Sequence, residues 1–183
     1  MSHSMKIWER VIDRRLREES GVSQNQFGFM PGRGTTDAIF ALRQVCEQIR
    51  RANRILHMVF VDLEKAYDRV PREVLWWAMK VKEVPWKYVE LVRKMYDRAS
   101  TQVRSQAGVT DKFNVAVGLH QGSALSRYLF LLVMDALTAD IQEKAPWCML
   151  FADDIVLVGE NVSEVQSRLG KWQSRLECWF KDQ

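Results

Sequence analysis

Apolar residues recur every three or four positions in several parts of the chain, the spacing that gathers them on one face of a helix. This spacing predicts a first helix over residues 5–19. A second apolar stripe predicts a helix that begins at Thr36, a favoured N-cap residue, and ends near Arg51. Two shorter helices are expected after Pro71 and Pro85, because proline is tolerated in the first turn of a helix.

The same spacing predicts two further helices in the second half of the chain. A long apolar stripe from Leu125 predicts a buried helix that stops near Ala145–Pro146. Ser163 and Gln166 have the spacing of a capping box, in which two side chains bond each other's backbone. They predict the start of a final helix, whose apolar stripe continues to Trp179.

Three segments have the composition of strands. Residues Ile55–Leu63 form a short β-branched run that ends at a carboxylate, which predicts a strand buried on both faces. Cys148–Phe151 and Ile155–Gly159 are separated by a few residues only and predict a tight hairpin. Residues 101–117 predict a second hairpin with its turn at Gly108–Asp111, which would add two strands to the sheet.

Composition and charge leave several classes of protein open and exclude others. Of 183 residues, 47% are hydrophobic, which indicates a globular chain. The net charge of +4 permits an anionic partner such as nucleic acid without requiring one, and the scattered basic residues are interpreted as solvated helix faces. Cys46, Cys148 and Cys178 lack zinc-site spacing and are odd in number, which fits a reducing, intracellular setting. The longest apolar stretch, Tyr128 to Met134, is too short for a membrane span.

Three acidic residues are placed where a metal site could form. Asp62 ends the first predicted strand, and Asp153 and Asp154 lie at the tip of the tight hairpin. Taken singly, each acid could be a turn or cap residue. If the strands are neighbours, however, the three carboxylates repel one another unless a cation neutralises them. A divalent metal site at this edge of the sheet is therefore the preferred interpretation.

Four blocks of sequence carry a resemblance to a known family. They are QFGFMPGRGTTDAI (26–39), FVDLEKAYDRVPRE (60–73), GLHQGSALSRYLF (118–130) and FADDIVL (151–157). In order and spacing they resemble successive motifs of the reverse transcriptases of LINE-type (non-LTR) retrotransposons. A lone Phe-Ala-Asp-Asp would be a weak signal, whereas four blocks in order are specific.

The resemblance implies an RNA-directed DNA polymerase with an α+β fold. The expected fold is a polymerase palm, an antiparallel sheet packed on helices, with partial fingers and no thumb. Residues 1–54 would form the partial fingers and their connection to the palm, and residues 55–183 a palm that ends before the thumb. The implied partners are an RNA template, a DNA primer and deoxynucleoside triphosphates, with two Mg²⁺ ions, or Mn²⁺, as cofactors. A nuclear site of action is suggested by the resemblance alone.

The resemblance also assigns roles to individual residues. Asp62 and Asp153 match the metal-binding acids, and Asp154 matches the second acid of the pair. Tyr67 matches an aromatic steric gate that lies under the sugar of the incoming nucleotide and excludes a 2′-hydroxyl. A tyrosine of intermediate burial could equally pack in the core, so this alternative stays open.

Further roles concern the nucleotide and the template. Gln121 and Gly122 match a loop that supports them, although a plain turn would explain the glycine as well. Arg33 could contact template or phosphate, or could be a solvated loop residue. In the family, a proline follows the serine that matches Ser126, whereas Arg127 occupies that position here. If Ser126 caps the long helix, we expect this cation to cost about 0.5–1 kcal/mol, because it meets the positive end of the helix dipole.

Two other functions remain open at this point. The first is a non-catalytic, nucleic-acid-binding relic of a truncated retrotransposon reading frame, favoured by Arg127 and by the expected lack of finger strands and thumb. The second is an RNA-dependent RNA polymerase, which uses a similar palm. Magnesium-dependent incorporation of deoxynucleotides would separate the leading function from both.

Overall fold

The computed structural model describes residues 3–97 and 99–180, without the side chains of Trp179 and Phe180. The predicted place of Trp179 in the last apolar stripe therefore lies outside the described side chains. The described helices are α1 (His3–Glu19), α2 (Thr35–Arg51), α3 (Ala66–Arg69), α4 (Arg72–Val81), α5 (Trp86–Tyr96), α6 (Ala124–Thr138) and α7 (Val162–Phe180). The described strands are β1 (His57–Asp62), β2 (Ser100–Thr101), β3 (Arg104–Ser105), β4 (Gly108–Val109), β5 (Phe113–Asn114), β6 (Cys148–Phe151) and β7 (Asp154–Gly159). The expected mixture of helices and antiparallel sheet is confirmed.

Helix α6 lies at the centre of the core. It packs against α1, α4 and α7, and its residues from Leu129 to Met134 are completely buried. The buried carboxylate of Asp135 is paired with the ammonium of Lys82, which follows α4, at 2.5 Å. The prediction that this helix is buried is confirmed.

The main sheet has three strands in the order β1-β7-β6, and both pairings are antiparallel. Strands β6 and β7 form the predicted tight hairpin, with its turn at residues 152–153. Helix α7 packs on β7 and β1. This arrangement brings β1, from the first half of the chain, directly beside the acidic hairpin.

The prediction that β1 is buried on both faces is wrong. Val59 and Val61 pack against the core, but Met58 and Phe60 alternate with them and are 38% and 65% exposed. The physical reason is that Met58 and Phe60 lie on the face of β1 that remains open to solvent. A continuous apolar sequence such as this one does not show whether one face of the strand is buried or both.

The prediction that residues 101–117 add two strands to the main sheet is also wrong. Strand β2 pairs with β5 and strand β3 pairs with β4, in two separate two-stranded ladders. The turn lies at residues 106–107, and Gly108–Val109 is itself a strand. Every residue of these four strands is exposed, so no burial of apolar surface favours their packing on the core.

The starts of two helices differ from the sequence prediction. Gly34, and not Thr36, is the N-cap of α2, and the Asp37 carboxylate accepts a hydrogen bond from the Gly34 N–H at 2.7 Å. The short helix α3 was not predicted. It follows Lys65, whose φ of 53° turns the chain sharply after β1.

The predicted capping box of Ser163 and Gln166 does not start α7; Asn161 and Glu164 bond each other at this helix start instead. The Asn161 side-chain oxygen accepts from the Glu164 N–H at 2.9 Å, and its amide nitrogen donates to the Glu164 carboxylate at 2.8 Å. Asparagine is as good an N-cap as serine, so two overlapping patterns competed for the same helix start.

Helix α6 ends at Thr138, earlier than predicted. Beyond it, the side chain of Asn25 donates to the Glu143 carbonyl at 2.8 Å and accepts from the Ala145 N–H at 3.1 Å. These two bonds hold the segment before β6 in a non-helical conformation. The partner lies far away in sequence, so no local pattern predicts this stop.

Candidate active site

The three acidic residues meet at one end of the main sheet. In the antiparallel pairing of β1 with β7, Asp62 lies directly opposite Asp154. Asp153 precedes Asp154 in the turn between β6 and β7. Residues opposite one another in such a pair have Cβ atoms about 4.5–5.5 Å apart. The structure thus places the three predicted acids in one neighbourhood.

The acids influence one another electrostatically. The pKa of Asp154 is raised, first by desolvation, then by the negative charges of Asp153 and Asp62. A cation between like charges offsets this repulsion, and carboxylate oxygens are the hard ligands that Mg²⁺ prefers. Within residues 3–97 and 99–180, however, no group of three or more His, Cys, Asp or Glu side chains is already arranged to hold a metal ion. The residue types at this end of the sheet fit a divalent ion, although their side chains are not arranged as a preformed site.

A buried glutamine holds the turn that carries Asp153. The side-chain oxygen of Gln26 accepts from the Ala152 N–H at 2.9 Å and from the Gly28 N–H at 2.8 Å. The Phe27 N–H also donates to the Leu150 carbonyl at 2.8 Å, so this segment runs along β6 as a short parallel bridge. The loop predicted between the first two helices therefore supports the acidic hairpin.

A pocket of about 380 Å³ lies next to the acids. It brings together four of the predicted site residues, namely Tyr67, Gln121, Gly122 and Asp153. The remaining lining comes from the turn around α3 and from the start of α6, together with Phe29. One cavity thus collects residues from four separate parts of the chain.

Tyr67 both packs on the core and lines this pocket. Its ring stacks on Phe130 with 4.2 Å between centroids and meets Phe29 edge-on at 6.4 Å. Its hydroxyl is buried and has no hydrogen-bond partner among the described residues. Burial raises the pKa of Tyr67, Asp153 raises it further and Arg127 lowers it. The two interpretations offered by the sequence are therefore compatible, because one face of the ring is packed while the residue borders the cavity.

The loop before α6 is tied to the segment around Tyr67. The Leu119 N–H donates to the Tyr67 carbonyl at 2.8 Å, and the Gln121 amide nitrogen donates to the Asp68 carboxylate at 2.7 Å. Gly122 has a φ of +79°, a left-handed conformation that a side chain would strain. These contacts keep Gln121 and Gly122 at the wall of the pocket.

Arg33 is not brought to this pocket. Its guanidinium donates to the carbonyls of Gln24 and Gln26 at 2.6 Å and 3.0 Å, and it lies over the Phe27 ring. It lines a different cavity, of about 890 Å³, together with Lys82 and other residues. In this structure the side chain of Arg33 supports its own loop.

The expected effect of Arg127 on the start of α6 rested on a wrong N-cap. The N-cap is Ser123, and the hydroxyl of Ser126 donates to the His120 carbonyl at 2.7 Å. Arg127 is consequently the fourth residue of the helix, where it is exposed and its guanidinium lies 5.3 Å from the Phe29 ring centroid. The dipole cost of about 0.5–1 kcal/mol therefore does not apply at its full size, because the effect falls off within the first turn.

A family model described as reverse transcriptase (RNA-dependent DNA polymerase) matches residues 1–180. The chain belongs to this family. The Pol polyprotein of the type-1 retrotransposable element R2 of Nasonia vitripennis is 25% identical over 190 residues, covering 100% of this chain and 18% of that protein. The probable RNA-directed DNA polymerase from transposon X-element of Drosophila melanogaster is 28% identical over 189 residues, covering 93% and 20%.

A solved structure supports the same assignment at the level of the fold. Telomerase from Candida tropicalis, in complex with a TWJ fragment of telomeric RNA, has a TM-score of 0.68 at 14% identity and covers 96% of this chain and 31% of that one. The resemblance to the reverse transcriptases of LINE-type retrotransposons is confirmed by the relatives. The chain spans about a fifth of the length of the curated relatives named above. Within the described residues, no helix is long and apolar enough to cross a membrane.

Some residues of the candidate site were not predicted from the sequence. Phe29, Asp68 and His120 line the pocket, and Glu9 supports it by accepting from the Ala124 N–H at 3.1 Å. Phe29, Asp68 and His120 lie inside three of the four recognised blocks, which was the available signal. No sequence signal indicated Glu9, because a completely buried glutamate on an amphipathic helix cannot be distinguished from a solvated one by sequence.

Proposed function

We propose that residues 55–183 form the palm of an RNA-directed DNA polymerase and residues 1–54 part of its fingers. The proposed reaction adds deoxynucleotides to the 3′ hydroxyl of a primer on an RNA template. The observation that carries this proposal is the pairing of Asp62 with Asp154 beside a pocket lined by Asp153 and Tyr67.

The three acids would hold two divalent cations, Mg²⁺ or Mn²⁺. Two such ions, when bound, activate the primer hydroxyl and neutralise charge on the triphosphate. Asp62, Asp153 and Asp154 supply the carboxylate oxygens, and their mutual repulsion is what an ion would relieve. Gln26 keeps the Asp153 turn in place through the Ala152 N–H.

Tyr67 and the loop before α6 would select and position the nucleotide. The stacking of Tyr67 on the buried Phe130 fixes its ring, so that a sugar with a 2′-hydroxyl would meet a rigid wall. Gln121 and Gly122 would support the nucleotide, because a glycine lets a ligand approach the backbone closely. Arg33 would reach a template or phosphate only after leaving its present carbonyl partners.

Primer extension with the purified chain tests the proposal. We expect magnesium-dependent incorporation of deoxynucleotides on an RNA template, lost in Asp153→Asn and retained in Asp111→Asn, which removes an exposed carboxylate elsewhere. Tyr67→Ala is expected to admit ribonucleotides. An unmodified chain that binds template and primer without incorporation would establish the non-catalytic alternative. A preference for ribonucleotides in the unmodified chain would indicate an RNA polymerase.

A second measurement does not depend on turnover. Ligands that bind only the folded state raise its stability. We therefore expect Mg²⁺ to raise the thermal unfolding midpoint of the parent chain and to have little effect on Asp153→Asn. Equal effects of Mg²⁺ on the two proteins would contradict the proposed metal site.

A further inference from the structure

A second cavity, of about 390 Å³, lies between α1 and the first turn of α6. Its lining includes four basic residues, Lys6, Arg10, Arg17 and Arg127, and one acidic residue, Asp13. We call it the basic pocket. No sequence pattern groups the four basic residues, since three lie on α1 and the fourth is far along the chain.

The charges of the basic pocket are only partly balanced. Asp13 is paired with Arg17 at 2.9 Å. Lys6, Arg10 and Arg127 are exposed and have no ion pair with any described residue. Three cations thus face one cavity without counterions from the described part of the chain. An anion bound there would relieve their repulsion.

The first N–H group of α6 is already used. Ala124 donates it to Glu9, which is completely buried. The case for an anion in the basic pocket is therefore made from its side-chain cations, and not from the backbone N–H groups that form anion sites at helix N-termini.

The basic pocket adjoins the candidate active site. Phe29, Gly122, Ser123 and Arg127 line both cavities. Phe29 has a φ of 54°, unusual for a residue with a side chain, and Arg17 donates to its carbonyl at 2.9 Å while Arg127 lies over its ring. Strained residues that the surroundings hold in place are often functional. An exposed aromatic ring between basic side chains has the composition of sites on which bases stack while cations hold phosphates.

We propose that the basic pocket binds a phosphate group of the ligand that occupies the candidate active site. The group belongs either to the backbone of a nucleic-acid strand or to the triphosphate of a nucleotide. The inference rests on the proposed function for its choice of ligand, but the site is formed by Lys6, Arg10 and Arg127, which have no part in the chemistry of the acids.

Binding assays without divalent ions test this site separately from catalysis. The probes are a fluorescent 12-nucleotide RNA and deoxythymidine triphosphate, titrated with the full chain at several salt concentrations. The test variant is Lys6→Gln/Arg10→Gln. The matched control is Lys80→Gln/Lys171→Gln, which removes two exposed cations from α4 and α7 that do not line the basic pocket. Unfolding curves of both variants check that each is folded.

The expected result follows from counterion release. For single strands each phosphate contact contributes about 0.7 to the slope of log affinity against log salt, so the test variant should lose about 1.4 of slope and bind the RNA about 25-fold more weakly at 0.1 M salt. The control pair should change RNA binding by less than about twofold, because separated surface charges are screened. Arg127→Gln should weaken binding in the same direction as the test variant.

The two ligands distinguish the source of the phosphate. Weaker RNA binding with unchanged nucleotide binding assigns the site to the strand, and the reverse assigns it to the triphosphate. If the test pair and the control pair weaken both ligands equally, the basic pocket is not a phosphate site and the proposal is overturned. Asp153→Asn removes a carboxylate outside the basic pocket, and we expect this variant to bind both ligands at least as tightly as the parent chain. The binding test therefore has the same outcome whether or not the chain polymerises nucleotides.

Discussion

Substitution of Gly28 by alanine is expected to displace the turn that carries Asp153. A Cβ atom on Gly28 would lie 2.4 Å from the Ala152 nitrogen and 2.9 Å from the Phe151 carbonyl carbon. Both are backbone atoms, so no side chain can rotate away. Ordinary contacts begin at 3.4 Å, and the two segments must therefore separate by about 1 Å.

The cost has a structural and a catalytic part. Forcing a methyl group into a packed contact costs about 1–3 kcal/mol of unfolding free energy. The separation would also stretch the hydrogen bond from the Ala152 N–H to Gln26. A misplacement of about 1 Å at a reacting group lowers rates by about 100-fold. Gly28→Ala should therefore lose about 100-fold in rate, which corresponds to about 2.7 kcal/mol of activation free energy, in addition to its loss of stability.

Chemical denaturation and primer extension measure the two parts. Gly21→Ala is the control, because an added Cβ there meets nothing within 4 Å. We expect Gly28→Ala to lose about 1–3 kcal/mol relative to this control. An unfolding free energy within about 0.5 kcal/mol of the control, the usual range for harmless surface changes, would refute the argument from close approach.

Three further predictions concern stability. Gly170→Ala should stabilise the chain by about 1 kcal/mol in denaturation, because Gly170 is inside α7 and an added Cβ meets nothing within 4 Å; a loss of stability would contradict this. Tyr67→Phe should raise the unfolding free energy by about 1 kcal/mol, since it removes a buried hydroxyl without a described partner; a clear decrease would reveal a partner. Burial raises the pKa of Cys148 to about 12, whereas an unfolded thiol ionises near about 8.5. Only the unfolded chain then loses this proton, so stability should fall as pH rises above about 8.5, a slope that Cys148→Ala removes and Cys178→Ala, at an exposed position, keeps.

Much of the secondary structure could be predicted because its signals are local. The apolar stripe of α6 indicates that this helix is buried, and the short spacing between β6 and β7 allows only a tight turn. The proximity of the acids could be predicted for a related reason. Asp62 and Asp154 each end or begin a short apolar strand, and a hairpin beside a third strand has few ways to pair.

Part of what could not be predicted depends on partners distant in sequence. Ser123 and Ser126 are equally good N-caps in isolation, and the structure uses the first because the loop before it is tied to the segment at Tyr67. The bond between Gln26 and the Ala152 N–H joins residues 126 positions apart. Such a contact leaves no periodic pattern in the sequence. The basic pocket could not be predicted for the same reason, because its residues are distant in sequence.

The geometry of the acids depends on the register of an edge strand, and that register has an identifiable cause. A slip of one residue in a β-pair moves every side chain to the opposite face. In β1 such a slip would take Asp62 away from Asp154 and would exchange the partly buried Val59 and Val61 for the exposed Met58 and Phe60. Because all four residues are apolar, burial alone discriminates weakly between the two registers. The repulsion of Asp154 by Asp153 and Asp62 disfavours the observed register. A divalent ion that binds Asp62 and Asp154 together would therefore favour the correct register as well as the reaction, and metal binding and the alignment of β1 would be energetically linked.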